Sequence, residues 1–274
     1  MRRLCLIALV GLLSPIALHA QDKWTTVKGT VVWDEGKKPA PKQTPIQATK
    51  DQAVAAKDKE FLTEDWVVSP KTGGIKNVFV WLAPEPTAAD LSALKARKLR
   101  EFPSFKPADI NPALAKPAKD TVEIDQPCCR FIPHVVAARE GQKLLIKNSA
   151  PIPHNAKYVG GAKNGEGNPL IPAGGQFTLP NPLGAEKAPI DLSCSIHPWM
   201  KAWVRVFDHP YFAVTDADGN FEIKDVPVLD GKLRIFYWQE SAGFDAGRAG
   251  TLGETITVKP GVVDLGKKKF AVAE

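Results

Sequence analysis

Methionine is almost missing from this chain: of two residues, one is Met1 and the other is Met200. Any site built from clustered thioethers is therefore excluded. Cysteine is scarce as well. Cys5 lies among the first twenty residues, which leaves Cys128, Cys129 and Cys194, an odd number that cannot form a fully paired disulfide scaffold. Beyond residue 20 no apolar run approaches the length of about 20 residues that a membrane-spanning helix needs. An excess of one charge is also lacking: 36 Lys and Arg against 30 Asp and Glu leave +6, and Arg2 and Arg3 belong to the extreme N-terminus. So mild a balance gives no signal for a nucleic-acid partner, which needs basic residues concentrated on one face.

What is there begins with an export signature. Arg2 and Arg3 precede the apolar run Leu4 to Leu13, and Leu18-His19-Ala20 offers a small residue before a cut ahead of Gln21. Residues 1–20 are thus expected to be a secretory signal peptide. The mature protein is expected in the periplasm or otherwise exported, and not as an integral membrane protein.

The remaining chain reads as all-β. Residues 24–34 are rich in β-branched and aromatic side chains. Trp66 to Val68, the turn Lys71-Thr72-Gly73-Gly74 and Asn77 to Leu82 read as strand, tight turn and strand. Thr87 with Asp90 resembles a capping box, so Ala88 to Arg100 is expected as one short surface helix. Four prolines over 103–118 mark a connector. From Thr121 short strands return between Gly, Pro and Asn turns, at the spacing of a Greek-key sandwich. The expected organisation is a β module with a helix over 21–102, a connector over 103–120, a sandwich over 121–208 and a small β domain over 209–274.

The chemistry concentrates in Cys194-Ser195-Ile196-His197-Pro198-Trp199-Met200 and in Ala150-Pro151-Ile152-Pro153-His154-Asn155. One thiolate, two imidazoles and one thioether form the ligand set of a blue-copper electron-transfer site. Cys194 ends one strand candidate, the loop turns under the metal, and Trp203 to Val206 leaves as the next. His154 must arrive from a neighbouring strand end. Pro151, Pro153 and Pro198 stiffen both loops, and Asn155 can tie them together by hydrogen bonding. Zinc sites use similar Cys-x-x-His spacing, but thioether is a poor ligand for zinc. A buried cysteine, two surface histidines and a core methionine remain the plain alternative. Scarcity stands against it, since the chain has five His and two Met, and His154, His197 and Met200 are three of them.

These residues resemble a known family. The run Asp191 to Val206 is similar to the ligand loop of the cupredoxins, the type 1 blue-copper proteins, and most closely to the amicyanin-like branch. Residues 141–158 are similar to the Gly-x-x-strand-Asn…Pro-His-Asn segment of the same family. The resemblance covers about residues 121–207. It implies a Greek-key cupredoxin sandwich, here flanked by small β-sandwich modules, and one copper ion held by His154, Cys194, His197 and an axial Met200. It also implies that the His197 edge emerges through an apolar docking patch to which Pro153 and Trp199 contribute, with Lys157, Lys163 and Lys201 around it. The segment Phe212 to Ile223 with Val226-Pro227 resembles carboxypeptidase regulatory-like domains of transthyretin-like fold. Asp216 and Asp218 do not meet EF-hand spacing.

Cys128 and Cys129, with His134 five residues on, fall outside the family pattern. A strand with one thiol on each face, a strained vicinal disulfide and a second metal site are all compatible with that cluster. His209 reads as a linker residue. The function expected is an exported carrier of single electrons, not an enzyme, cycling copper between Cu(I) and Cu(II) against a redox partner protein. The competing reading is a cell-envelope binding or scaffold protein for carbohydrate or protein, with no redox role.

Overall fold

The computed structural model describes residues 23–36, 38–57, 61–99, 102–247 and 249–271; the expected signal peptide lies outside them. No helix among the described residues is long and apolar enough to cross a membrane. The chain is almost entirely β, and four main sheets enclose three apolar cores in succession.

In the first sheet β1 (Trp24–Trp33) runs antiparallel to β14 (Asn220–Pro227) and parallel to β18 (Gly261–Phe270). The second has the order β13 (Phe212–Val214), β2 (Phe79–Pro84), β15 (Lys232–Gln239), β16 (Gly243–Phe244), with β17 (Glu254–Thr257) also pairing with β15. Side chains alternate across a strand. Val27 and Val31 of β1 therefore meet Val80 and Leu82 of β2 and Ile235 of β15 in one core. The expected modules at 21–102 and 209–274 thus share both sheets: β1 lies between β14 and β18, and β2 between β13 and β15. Residues 121–207 are inserted between the two halves of one sandwich.

Local chemistry fixes the joints. In the turn expected at Lys71–Gly74 the Gly73 N–H donates to the Ser69 carbonyl (2.9 Å), and Gly73 has φ +70. A Cβ on Gly74 would fall 1.8 Å from the Asp218 carbonyl oxygen, so only glycine lets the two turns touch. Asp218 accepts there from Ser69 Oγ (3.1 Å), a structural role. The expected connector is anchored: it contains single 3-10 turns at Pro107–Asp109 and Pro112–Leu114, and Tyr211 Oη donates to the Asp109 carbonyl (2.7 Å). Besides the helical turn α1 (Gln52–Ala55), the short helix is α2 (Ala88–Lys95), with Thr87 Oγ1 accepting from the Asp90 N–H (3.1 Å). It stops at Lys95 rather than Arg100, because Arg97 takes a left-handed φ of +58.

The inserted sandwich has one sheet of β4 (Val135–Arg139), β12 (Lys201–Phe207), β11 (Ile190–Ser193), β7 (Lys157–Val159) and β8 (Glu166–Gly167). Facing it are β10 (Gln176–Thr178), β5 (Lys143–Lys147) and β3 (Thr121–Ile124). A ribbon of β6 (His154–Asn155) and β9 (Leu170–Ile171) and a helical turn α3 (Gly161–Asn164) complete it. Ala202, Val204 and Val206 of β12 join Leu144, Ile146 and Leu192 in its core. Trp203 and Phe207, on the other face of β12, pack with Phe79, Trp81, Phe236 and Trp238 of the second sheet. Arg205 shares that face, 4.1 Å above the Trp81 ring, and Nη1 donates to the Lys187 carbonyl (2.6 Å). Burial pulls its pKa down to about 9.

Trp81 is the centre of this junction, stacked on Phe236 at 5.1 Å and 8°. Trp81→Ala is expected to cost about 3–5 kcal/mol of stability, read from denaturant unfolding. A loss below about 1 kcal/mol would mean that the aromatic layer does not couple the two sandwiches.

Candidate metal centre

β11 and β12 are antiparallel with Ser193 opposite Lys201, so Cys194 to Met200 is the connection between neighbouring strands. The Cys194 N–H donates to the Met200 carbonyl (3.3 Å) and the Met200 N–H to the His197 carbonyl (2.9 Å). These bonds curl the connection so that Cys194, His197 and Met200 point inward, at 2%, 0% and 1% exposure.

His154 approaches from β6, paired with Ile171 of β9. Fully buried Asn148 holds the loop before it: Nδ2 donates to the carbonyls of Ile152 (2.8 Å), Ile171 (3.0 Å) and Pro172 (3.1 Å). Asn168 Nδ2 donates to Ser195 Oγ (3.1 Å) and so ties the ribbon region to the cysteine loop. Asn155 is fixed through its backbone, with its carbonyl accepting from Gln126 Nε2 (3.1 Å). Pro153 and Pro198 are exposed.

The donors converge. Nδ1 of His154 and Nδ1 of His197 are 3.0 Å apart, and Cys194 Sγ lies 3.8 Å from the same His197 nitrogen. Metal–N bonds of about 2.0–2.1 Å and a metal–S bond of about 2.3 Å at tetrahedral angles put two nitrogens ~3.3 Å apart and sulfur ~3.6 Å from nitrogen. The His154–His197 and Cys194–His197 spacings are therefore close to those of ligand pairs on one first-row ion. Met200 is buried in the same core as Cys194.

Burial, then the neighbouring His197, pull the His154 pKa down to about 4, so its ring is neutral near pH 7 and able to bind metal. His197 Nε2 lies 2.8 Å from Asp51 Oδ2. A carboxylate accepts, so Nε2 carries the proton and the Nδ1 lone pair faces His154 and Cys194.

Asp51 changes the expected surface. His197 is 0% exposed, so its edge does not emerge through an apolar patch. Asp51 and α1 cover it: Val54, Ala55 and Phe61 pack against the inserted core, and Phe61 meets Trp199 edge-on at 6.2 Å. Trp199 is half-buried, 5.3 Å from the His197 ring, with Nε1 donating to the Cys129 carbonyl (3.1 Å). Lys157, Lys163 and Lys201 are exposed, and Lys163 pairs with Glu140 at 3.5 Å.

The vicinal cysteines are not joined by a disulfide and do not lie on a strand. Cys129 has φ +38 and is fully buried. Its sulfur and one nitrogen each of His154 and His197 all lie within 4.8 Å of one another. Burial, then Asp51, Cys128 and Cys194, push its pKa up to about 11. His134 belongs elsewhere: it contacts Glu240 Oε1 closely and has Nδ1 3.6 Å from Glu64 Oε2, while Trp203 Nε1 donates to Glu240 Oε2 (2.7 Å). Burial works against its charge, but these carboxylates hold its pKa above the ordinary value. His209 is buried among Phe105, Phe207 and Tyr211, with Nδ1 accepting from the Tyr211 N–H (3.1 Å). Asp51 and the proximity of Cys129 carry no local sequence signal, because each reaches the histidines from a segment remote in the chain.

No known protein family matches the chain, and no curated protein does. Among solved structures it is similar to a reduced amicyanin with a tryptophan-to-tyrosine substitution, at 23% identity over 34% of this chain and 88% of that one, TM-score 0.28. A Cu(I) amicyanin with a methionine-to-alanine substitution gives 21% identity over 38% and 90%, TM-score 0.28. An oxidised amicyanin with a proline-to-alanine substitution gives 20% over 38% and 90%, TM-score 0.29. Likeness of this degree leaves the chemistry of the site to its own donors.

Partners that orient a ligand from outside the coordination shell are worth about 10–100-fold in metal affinity. Asp51→Ala is expected to weaken metal binding by that factor in competition with a chelator. Unchanged affinity would show that the carboxylate only covers the ring.

Proposed function

We propose that the protein is an exported one-electron carrier with a copper ion held by His154, Cys194, His197 and, axially, Met200. The observation that supports this most is that His197 Nδ1 lies 3.8 Å from Cys194 Sγ and 3.0 Å from His154 Nδ1, with all three side chains buried. Bound copper would supply a Cu(I)/Cu(II) couple. The chain supplies thiolate and thioether, which favour Cu(I), and imidazoles, which suit both states.

The residues around the donors limit rearrangement. The Cys194–Met200 and His197–Met200 backbone bonds fix the loop, Asn148 fixes the approach to His154, and Asp51 fixes the His197 ring. Four protein donors leave no open position for a substrate, so the proposed role is transfer of an electron rather than catalysis. The redox partner docks, in this reading, over Trp199, Pro153 and Pro198, where the half-buried indole lies between solvent and the His197 ring.

Copper(II) added to the purified protein is expected to produce an intense visible thiolate-to-copper band. Cys194→Ser is expected to abolish it while the far-ultraviolet circular dichroism is retained. A protein that folds, stays colourless with copper and behaves like its Cys194→Ser variant would contradict the carrier reading and favour the envelope scaffold.

A further inference from the structure

The proposed donor set leaves one nucleophile at the site unused. Cys129 reaches it from the β3–β4 connection, on a different wall from Cys194. Asp125 and Ile132 exchange two backbone hydrogen bonds, each 2.8 Å, and close residues 125–132 into a loop whose tip carries the cysteine. Trp199, from the metal-binding loop itself, fastens the Cys129 carbonyl at 3.1 Å. The left-handed backbone of Cys129, φ +38, is costly for a residue with a Cβ and turns the side chain inward. Its sulfur then shares a space with a ring nitrogen of each histidine, all within 4.8 Å, with all three residues at 0% exposure. The His154 ring is buried there with Nε2 unpartnered among the described residues.

We propose that Cys129 is a second thiolate donor to the same copper ion. The site then offers two sulfur anions, two imidazole nitrogens and one thioether. This rests on the carrier reading above and extends its ligand set. Loading with Cu(I) forms two copper–sulfur bonds, breaks two S–H bonds and releases two protons, with no change in oxidation state. Thiolates are soft ligands suited to Cu(I), and the second one comes from a loop already tied by Gln126 Nε2 to the Asn155 carbonyl and by Trp199 Nε1 to the Cys129 carbonyl.

The test is X-ray absorption at the copper edge on anaerobically Cu(I)-loaded protein, with proton release followed by pH-stat during loading. Two sulfur neighbours at about 2.3 Å are expected in the wild type and in Cys128→Ser, and a single one in Cys129→Ser and in Cys194→Ser. Proton release is expected to fall from two per copper to one in Cys129→Ser. One short sulfur in the wild type, unchanged in Cys129→Ser, would overturn the proposal and leave the carrier reading standing. Should Cys129→Ser fail to fold, the wild-type proton count decides: two protons support the second thiolate and one overturns it. A sulfur count that does not respond to Cys194→Ser would instead overturn the carrier reading.

Discussion

Alternation of side chains along β12 is the constraint on which the rest of the structure depends. Its even-numbered residues, Ala202, Val204 and Val206, fill the core of the inserted sandwich. Its odd-numbered residues, Trp203, Arg205 and Phe207, meet Trp81 and Trp238 of the sheet beyond. A register slip of one residue would exchange these two sets and put Arg205 into an apolar core. The same register fixes where β12 begins, and therefore where the loop from Cys194 to Met200 must close. The loop from Cys194 to Met200 therefore leads into a strand covered on both faces.

That arrangement gives the flanking material a physical role. The strands on either side of the insert form one sandwich, whose second sheet covers β4 and β12 from behind. Ahead of β2, Val54, Ala55 and Phe61 pack against the core of the insert, and Asp51 covers His197. The outer sandwich thus backs β12, and the segment ahead of β2 covers the loop from Cys194 to Met200. His134, between Glu64 and Glu240, adds a polar clamp where the two sandwiches meet.

Much of this was legible in the sequence because it depends on neighbours in the chain. The spacing of Cys194, His197 and Met200 is a property of one short connection, and the strand patterns follow a period of two. Asp51 as the partner of His197 and Cys129 as a third wall both depend on contacts between distant segments. Nothing local in Asp51 distinguishes it from a solvated aspartate. The sharing of sheets by β1 with β14 and β18 was hidden for the same reason, since pairing partners lie nearly two hundred residues apart (Thr30 with Asn220). The helix end at Lys95 was misplaced because a left-handed Arg97 has no signature in the pattern of leucines.

In the proposed carrier, the folded chain places copper donors in position and keeps them there in both oxidation states. Crystals of the copper-loaded protein, oxidised and then chemically reduced, test this through anomalous scattering at the copper edge. One copper is expected between His154 Nδ1, His197 Nδ1 and Cys194 Sγ, with Met200 alongside and both loops superimposing in the two states. Copper bound elsewhere, or a loop from Cys194 to Met200 that rearranges on reduction, would contradict it.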